Sequence, residues 1–232
     1  MFKLDLIKAI NEWQIEGTGA NKKNIVEKLI EHSDDIDTKF KSLSSKCYRR
    51  IDLNNHYNFV LGREMQIPET YSSWSFDKEF VKKFNNGVPK RKYQGVIFEI
   101  SNEYKDLEVI LNLKELFNDP IFKIECELQK HNITNFDDGI GKYYNSESEI
   151  ILKVNKLKIS QIWAYGGFSS SKAVFISKYL GNELNRKMKR LIDQKEIKNK
   201  LLFGDRWITG KAKDRTIRFH INTAKRLSSK NL

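Results

Sequence analysis

The sequence predicts an α+β protein in which two N-terminal helices precede a run of short strands and a basic, mainly helical segment closes the chain. Three observations predict it. Apolar residues recur at helical spacing over residues 3–14 and 22–32, runs rich in β-branched and aromatic residues follow, and the pattern returns to helical from about residue 170. Separate blocks of helices and strands are typical of this class. We therefore expect one domain over residues 1–170 and an extension over residues 171–232.

The individual elements are predicted from turn signals and apolar spacing. Pro68 excludes a central strand, so NNHYNFVLGREMQIPE is expected to be irregular. A short helix is predicted in DKEFVKKF, where Asp77 is placed to cap it. A strand leading into a helix is predicted in LEVILNLKELF, and residues 120–135 are expected to be helical or irregular. A loop is predicted in FDDGIGKYYNS. Further strands are predicted in SLSSKCYRRIDL, TYSSWSF, YQGVIFEIS, ESEIILKV and LKISQIWAY.

Composition excludes several classes of protein. Cys47 and Cys126 have no partner spacing and indicate reduced thiols in a cytoplasmic protein. We expect no signal peptide at the N-terminus, and since no apolar run approaches the ~20 residues of a membrane span, we also expect no membrane partner. The four histidines lack metal-ligand spacing, so we expect no metal. The two common phosphate-loop signatures are also absent.

The net charge of +12 is concentrated at the C-terminal end. Residues 171–232 carry 17 Lys and Arg against 5 Asp and Glu, whereas the preceding residues carry 25 of each sign. Such an asymmetry indicates a polyanionic partner, such as nucleic acid or an acidic surface. A solubilising helical face explains the charge equally well, so the charge alone leaves both interpretations open.

Two carboxylates, Glu147 and Glu149, stand two positions apart where the chain enters a predicted strand. In an extended chain, residues i and i+2 point to the same side, so the like charges are expected about 7 Å apart. This arrangement costs stability unless a cation or a substrate occupies the space. A solvated strand edge is the alternative for the pair taken alone.

Three short motifs on predicted strands resemble the mono-ADP-ribosyltransferases of the R-S-E type. In that family a strand ends in an aromatic–Arg pair, a Ser-x-Ser strand follows, and a Glu-x-Glu pair opens a later strand. Here the motifs are CYRR, YSSWSF and SESEIIL, with a short helix, a basic loop and the strand GVIFEI after the second. The resemblance covers residues 44–160. It departs from the family at Trp74, where threonine is usual, and in segment 102–142, which is longer than in compact members.

The resemblance implies NAD as co-substrate, a split β-sheet core and a role for each motif residue. Glu149 would stabilise the oxocarbenium-like state at the nicotinamide ribose, and Glu147 would orient or deprotonate the acceptor. Arg49 would bind the NAD diphosphate with its planar fork, with Arg50 as the competing candidate. The resemblance also implies that Ser73 orients Glu149 and that Ser75 supports the strand. Arg91 or Lys92 would bind the phosphates, and Tyr143 or Tyr144 would stack on the acceptor.

The acceptor implied by the resemblance is an arginine side chain of a protein or a nucleobase, and the basic extension favours nucleic acid. RNA is preferred over DNA, because unstacked bases reach a pocket more readily. Phe203 and Phe219 are candidates for stacking on bases, whereas Trp207 is predicted to belong to the core of the extension. The residues expected to bind backbone phosphates are Lys187, Lys189 and Arg190, on a predicted helix over residues 182–200.

Two alternatives from other functional classes stay open. A nucleic-acid-binding module with an inert Glu pair would bind RNA and leave NAD intact. An NAD hydrolase or glycosidase would release nicotinamide without a macromolecular acceptor. The resemblance further implies a toxin of a bacterial defence or toxin–antitoxin system, or a phage effector, with an antitoxin or inhibitor protein as an additional partner.

Overall fold

The computed structural model describes residues 2–16, 21–54, 65–67, 69–84, 93–144, 146–166 and 207–228. Within them the chain is a mixed α/β protein that divides into two compact units. The first unit comprises Met1–Arg49, Gln66–Lys78 and Ile100–Leu157, and the second comprises Arg50–Met65, Glu79–Glu99 and Lys158–Leu232. The boundary expected at residue 170 falls within the second unit, and residues 167–206 lie outside the described part of the chain. The division into residues 1–170 and 171–232 therefore stays a prediction.

The helices and strands follow the predicted order. The helices are α1 (Leu4–Glu16), α2 (Lys22–His32), α3 (Lys78–Lys83), α4 (Leu113–Asn118), α5 (Pro120–Gln129), α6 (Ile140–Tyr143) and α7 (Gly210–Ser228). The strands are β1 (Cys47–Asn54), β2 (Met65–Gln66), β3 (Tyr71–Ser75), β4 (Tyr93–Ile100), β5 (Leu107–Leu111), β6 (Glu149–Val154), β7 (Lys156–Leu157), β8 (Ile162–Gly166) and β9 (Trp207–Thr209).

The first unit is built on four antiparallel strands in the order β5–β6–β3–β1. β6 lies inside this order, and nearly all of its residues are buried, which explains why EIILKV is almost continuously apolar. Its register places Glu149 opposite Ser75, and Ser75 in turn lies opposite Tyr48 of β1. Directly opposite residues of antiparallel strands share one face, so these three positions are neighbours.

The core of the first unit lies between the helices and this sheet. α1 and α2 pack against each other, and α1 buries residues that recur three or four positions apart, which lie on one helical face. α5 begins at Pro120, where the Asp119 side chain accepts hydrogen bonds from the amides of Ile121 and Phe122 at 2.9 and 3.2 Å. The fully buried members of this core include Leu6, Ile10, Trp13, Leu29, Leu111, Leu116, Phe122 and Ile151.

The second unit contains three antiparallel strands in the order β4–β8–β9, followed by α7. Gly95 lies opposite Gly166, and a Cβ atom at Gly95 would stand 2.8 Å from both the Gly166 carbonyl oxygen and the Trp207 ring. The indole N–H of Trp207 donates to the Lys82 carbonyl at 3.2 Å. Trp207 is 7% exposed, which confirms the prediction that it is a core residue.

The short strand β2 lies in a segment that was expected to be irregular, and two further segments differ from the sequence-based expectation. LKISQIWAY is not one strand, because Ile159–Gln161 forms a 3₁₀ turn that separates β7 from β8. FDDGIGKYYNS is not an open loop, since it contains a 3₁₀ turn at Phe136–Asp138 and the short helix α6. Asn11 of α1 explains the last of these differences, because its side chain accepts from the Ile140 amide at 2.9 Å and donates to the Thr134 carbonyl.

Candidate active site

Glu149 is a buried carboxylate at the first position of β6, with 6% of its surface exposed. The indole N–H of Trp13 donates to Oε1 at 2.8 Å, and the side-chain amide of Gln14 donates to Oε2. Both donors come from α1, so both carboxylate oxygens are occupied by groups more than 100 positions away in sequence. Hydrogen bonds of this kind compensate for the loss of water around a buried charge.

The apolar face of α1 explains why these two donors reach Glu149. Trp13 is 1% exposed and belongs to the same buried face as Ile10, whereas Gln14 follows it at the half-buried edge of the helix. The packing of that face places the Trp13 indole and the Gln14 amide side by side. The result is a preorganised carboxylate, which is what stabilisation of a developing positive charge requires.

Glu147 lies before β6 rather than in it, because Ser148 has a φ of 45°. The chain is therefore not extended between Glu147 and Glu149, and the expectation that the two share one side of an extended chain is wrong. The turn is fixed by β3 instead. The Ser75 hydroxyl donates to the Glu147 carbonyl, and the Phe76 amide donates to the Ser148 carbonyl at 3.0 Å.

The two glutamates nevertheless remain electrostatically coupled. Burial and the charge on Glu149 raise the pKa of Glu147 from 4.5 to about 7, while nearby Lys142 acts in the opposite direction. A carboxyl group with a pKa of about 7 exchanges its proton readily at neutral pH, as a general base requires. The spacing in the sequence indicated this pair, but the raised pKa of Glu147 arises from its burial and from the nearby charge on Glu149.

Arg49 is held on the first unit by two contacts. Its guanidinium donates to the Ser73 carbonyl at 3.1 Å and to Oε2 of Glu69 at 3.0 Å. Burial lowers the pKa of Arg49, while the charges of Glu69 and Glu149 oppose that shift. The Nε atom is buried without a hydrogen-bond partner among the described residues.

Arg50, the competing candidate, has a separate environment in the second unit. Its guanidinium binds both carboxylate oxygens of Asp52, at 2.8 and 3.1 Å, and donates to the Phe84 carbonyl. It also lies 5.5 Å from the centroid of the Trp207 ring. Such a fully engaged guanidinium has a structural explanation, so the geometry favours Arg49 as the ligand-binding residue of the two.

The serine motif has two different local environments. Ser75 accepts from the Asp77 amide at 3.0 Å in addition to its bond with the Glu147 carbonyl, so it ties β3 to the turn before β6. Ser73 contributes its carbonyl to Arg49. Among the described residues, the groups that hydrogen-bond the Glu149 carboxylate are Trp13 and Gln14, and the implied contact of the Ser73 hydroxyl with Glu149 stays a prediction. Trp74 points to the other side of the strand, where its indole donates to Ser72.

The two tyrosines before the Glu pair belong to the α6 region. Tyr144 packs on Phe117 with ring centroids 5.3 Å apart, and burial raises the pKa of its hydroxyl. Tyr143 is half-buried and lies beside Lys142, whose Nζ is 5.0 Å from the ring centroid. Their stacking on an acceptor stays a prediction. The other candidate residues lie outside the described part of the chain: Arg91, Lys92, Lys187, Lys189, Arg190 and Phe203.

Four site residues were not identified from the sequence: Trp13, Gln14, Glu69 and Lys22, whose ammonium lies 2.8 Å from Oε2 of Glu69. Trp13 fits the apolar spacing of α1, so the pattern predicted a core residue and contained no signal for its hydrogen bond. Glu69 lies in a segment expected to be irregular, and Lys22 is one of many lysines. Their roles depend on contacts between distant parts of the chain.

The described residues contain no cluster of three or more His, Cys, Asp or Glu side chains placed to hold a metal ion. Cys47 and Cys126 are both buried, and neither takes part in a disulfide bond within the described residues. No helix in the described ranges combines the length and the apolar character needed to cross a membrane. Comparison of the chain with protein-family models, with curated proteins and with solved structures found no match.

Proposed function

We propose that this chain is an NAD-dependent mono-ADP-ribosyltransferase. The observation that carries the proposal is the environment of Glu149, a buried carboxylate at the start of β6 with two donors on its oxygens. Glu147, with its pKa of about 7, precedes it, and the charge of Glu149 acts on Arg49. Arg49 on β1, the Ser-x-Ser motif on β3 and Glu149 on β6 thus all belong to the first unit.

Seven of the strands belong to one antiparallel sheet, in the order β5–β6–β3–β1–β4–β8–β9. The division of a sheet into the split core that the resemblance implies is part of the proposal. The specific ADP-ribosyltransferase fold remains part of the proposal.

The residues present fit the charge of NAD. The Arg49 guanidinium would bind the diphosphate, and its buried Nε, which has no hydrogen-bond partner within the described ranges, offers a donor for a ligand oxygen. The Glu149 carboxylate would lie against the nicotinamide ribose. Trp13 and Gln14 would keep that carboxylate oriented.

The chemistry divides between the two glutamates. NAD supplies a ribosyl C1′–nicotinamide bond whose electron pair leaves with neutral nicotinamide. The negative charge of Glu149 stabilises positive charge that develops on the ribose as this bond breaks. Glu147 accepts the proton that the acceptor nucleophile loses as it bonds to C1′. The atoms balance as ADP-ribosylated acceptor, nicotinamide and one proton.

A basic face of α7 favours nucleic acid as the acceptor. Lys211, Arg215 and Arg218 are exposed and recur at spacings of four and three residues, which aligns them on one side of the helix. Phe219, next to them, is 52% exposed. Cations bind the phosphate backbone and exposed aromatics stack on bases. RNA is the preferred acceptor, and a toxin or phage-effector role with an inhibitor protein belongs to the same proposal.

The test is incubation with labelled NAD and separate pools of RNA, DNA and protein. We expect nicotinamide release together with label that nuclease removes and protease does not. Label that protease removes would show that the acceptor is a protein rather than RNA. Nicotinamide release at full rate without any acceptor would indicate an NAD hydrolase, and RNA binding without nicotinamide release would indicate a binding module.

Salt dependence tests the acceptor surface separately. Replacing three basic residues of α7 with glutamine should make the slope of log RNA affinity against log salt concentration less steep, by the contribution of about three phosphate contacts. Nicotinamide release without acceptor should stay unchanged. The substitutions are Lys211→Gln, Arg215→Gln and Arg218→Gln, and the matched control replaces the exposed Lys23, Lys28 and Lys105 in the same way.

A further inference from the structure

Two cations of the first unit converge on a single carboxylate oxygen beside the candidate active site. The Lys22 ammonium lies 2.8 Å from Oε2 of Glu69, and the Arg49 guanidinium lies 3.0 Å from the same atom. The lysine and arginine side chains are only 14% and 18% exposed, whereas that of Glu69 is 42% exposed. The cations are therefore held in place, and their common partner is the accessible member.

Among the described residues, Glu69 is the carboxylate in direct contact with both cations, so these contacts supply one negative charge to two positive ones. The charge of Glu149 also favours the charged forms of Lys22 and Arg49, and the positive charge of Arg49 disfavours that of Lys22. Burial lowers the pKa of Lys22, while its contacts with Glu69 oppose the shift. Burial also acts to raise the pKa of Glu69, but the hydrogen bond from Lys22 and the charge of Arg49 keep it below its ordinary value. An anion with two charges would match the pair better than Glu69 does.

The surroundings of the cluster offer further donors. Lys22 is the first residue of α2, an 11-residue helix with no acidic residue in its first turn and no side-chain cap from Asn21. Amide groups at such a helix start favour an anion. The buried Nε of Arg49 adds another donor, for which the described part of the chain contains no acceptor.

The cluster also lies close to the catalytic carboxylate. The Lys22 ammonium is 5.1 Å from the centroid of the Trp13 ring, and the indole of Trp13 donates to Glu149. In NAD the diphosphate is attached to the nicotinamide ribose. A diphosphate at this position would therefore place that ribose near Glu149.

We propose that Lys22 and Arg49 form a diphosphate-binding pair and that Glu69 is an internal competitor, which the diphosphate of the nucleotide displaces. This inference rests on the proposed function for the identity of the nucleotide. In the absence of nucleotide, Glu69 keeps two largely buried cations together and thereby lowers the affinity for the nucleotide. Nucleotide binding releases the Glu69 side chain toward solvent and replaces its single negative charge by the two negative charges of the diphosphate.

Calorimetric titration with inorganic pyrophosphate and with NAD tests the proposal on the full-length protein. Glu69→Gln keeps the shape and removes the competing charge, so both ligands should bind about tenfold more tightly, the scale of one charge-assisted hydrogen bond. Lys22→Gln should weaken both ligands by about tenfold or more for the same reason. The matched control is Lys28→Gln, since Lys28 also lies on α2 and is paired with a glutamate of α1, Glu12, at 2.7 Å.

The outcomes separate this inference from the proposed activity. Pyrophosphate affinities equal in wild type, Glu69→Gln and Lys22→Gln would overturn the inference, even if NAD is cleaved. Shifts of the expected sign without nicotinamide release would support the diphosphate site and refute the transferase. A shift in Lys28→Gln as large as that in Lys22→Gln would show a general charge effect and overturn the site.

Discussion

Glu149→Gln is the substitution that most directly separates charge from geometry in the proposed mechanism. Trp13 donates to Oε1 from a fully buried position, so a glutamine at residue 149 has to present its amide oxygen there. Its NH₂ group then faces Gln14, which is half-buried and can turn its own amide to accept. Both hydrogen bonds survive in this arrangement. We expect the free energy of unfolding to change by less than about 1 kcal/mol.

The expected effect on activity is much larger. A unit charge about 4 Å from a developing cation is worth about 4 kcal/mol at an effective dielectric constant of about 20. Loss of one preorganised electrostatic group costs about 2.7–4 kcal/mol in measured cases, which corresponds to about 10²–10³-fold in rate. Glu149→Gln should therefore slow nicotinamide release and transfer by that factor.

The assay combines nicotinamide release, transferred label and a urea unfolding curve. Glu149→Ala is the contrasting variant, because it leaves the buried Trp13 N–H without an acceptor and should destabilise the fold by about 1–3 kcal/mol. Glu108→Gln on β5 is the matched control, since this exposed glutamate pairs with Lys153 at 2.8 Å on the same sheet and should not affect activity. Near-normal nicotinamide release by folded Glu149→Gln would remove Glu149 from the mechanism.

Three further predictions concern cofactor binding, pH and packing. Arg49→Lys should weaken NAD binding about tenfold, because an ammonium lacks the planar fork, whereas Arg50→Lys should not. Calorimetry showing the reverse would exchange their roles. Transfer should rise with pH through about 7 and then level off as Glu147 loses its proton, and Glu147→Gln should abolish this dependence. The raised pKa of Glu147 means that, between pH 4.5 and about 7, the folded protein keeps a proton that the unfolded chain has released. Glu147 therefore makes the free energy of unfolding fall as pH rises through this range. Gly95→Ala should cost about 1–3 kcal/mol, since its Cβ would lie 2.8 Å from the Gly166 oxygen, and an unchanged urea midpoint would contradict this.

Periodicity in the sequence was sufficient to predict the local elements. The spacing of Leu6, Ile10 and Trp13 predicted α1, and the runs TYSSWSF and ESEIILKV predicted β3 and β6 to within two residues. These predictions succeed because helix and strand periods follow from backbone geometry and from burial of one or both faces. The 3₁₀ turn at Ile159–Gln161 was missed, since its apolar residues fit a strand equally well.

The sequence by itself also supplied candidate site residues: the resemblance of three short motifs to the R-S-E family indicated Arg49, the serine pair on β3 and the two glutamates. Only the tertiary structure decided how they are held. Glu149 is fixed by Trp13 and Gln14, Glu147 is placed by the left-handed turn at Ser148, and Arg49 shares Glu69 with Lys22. The physical reason is that these contacts join side chains on different elements, and their distances depend on how those elements pack. No periodicity within a single segment carries that information.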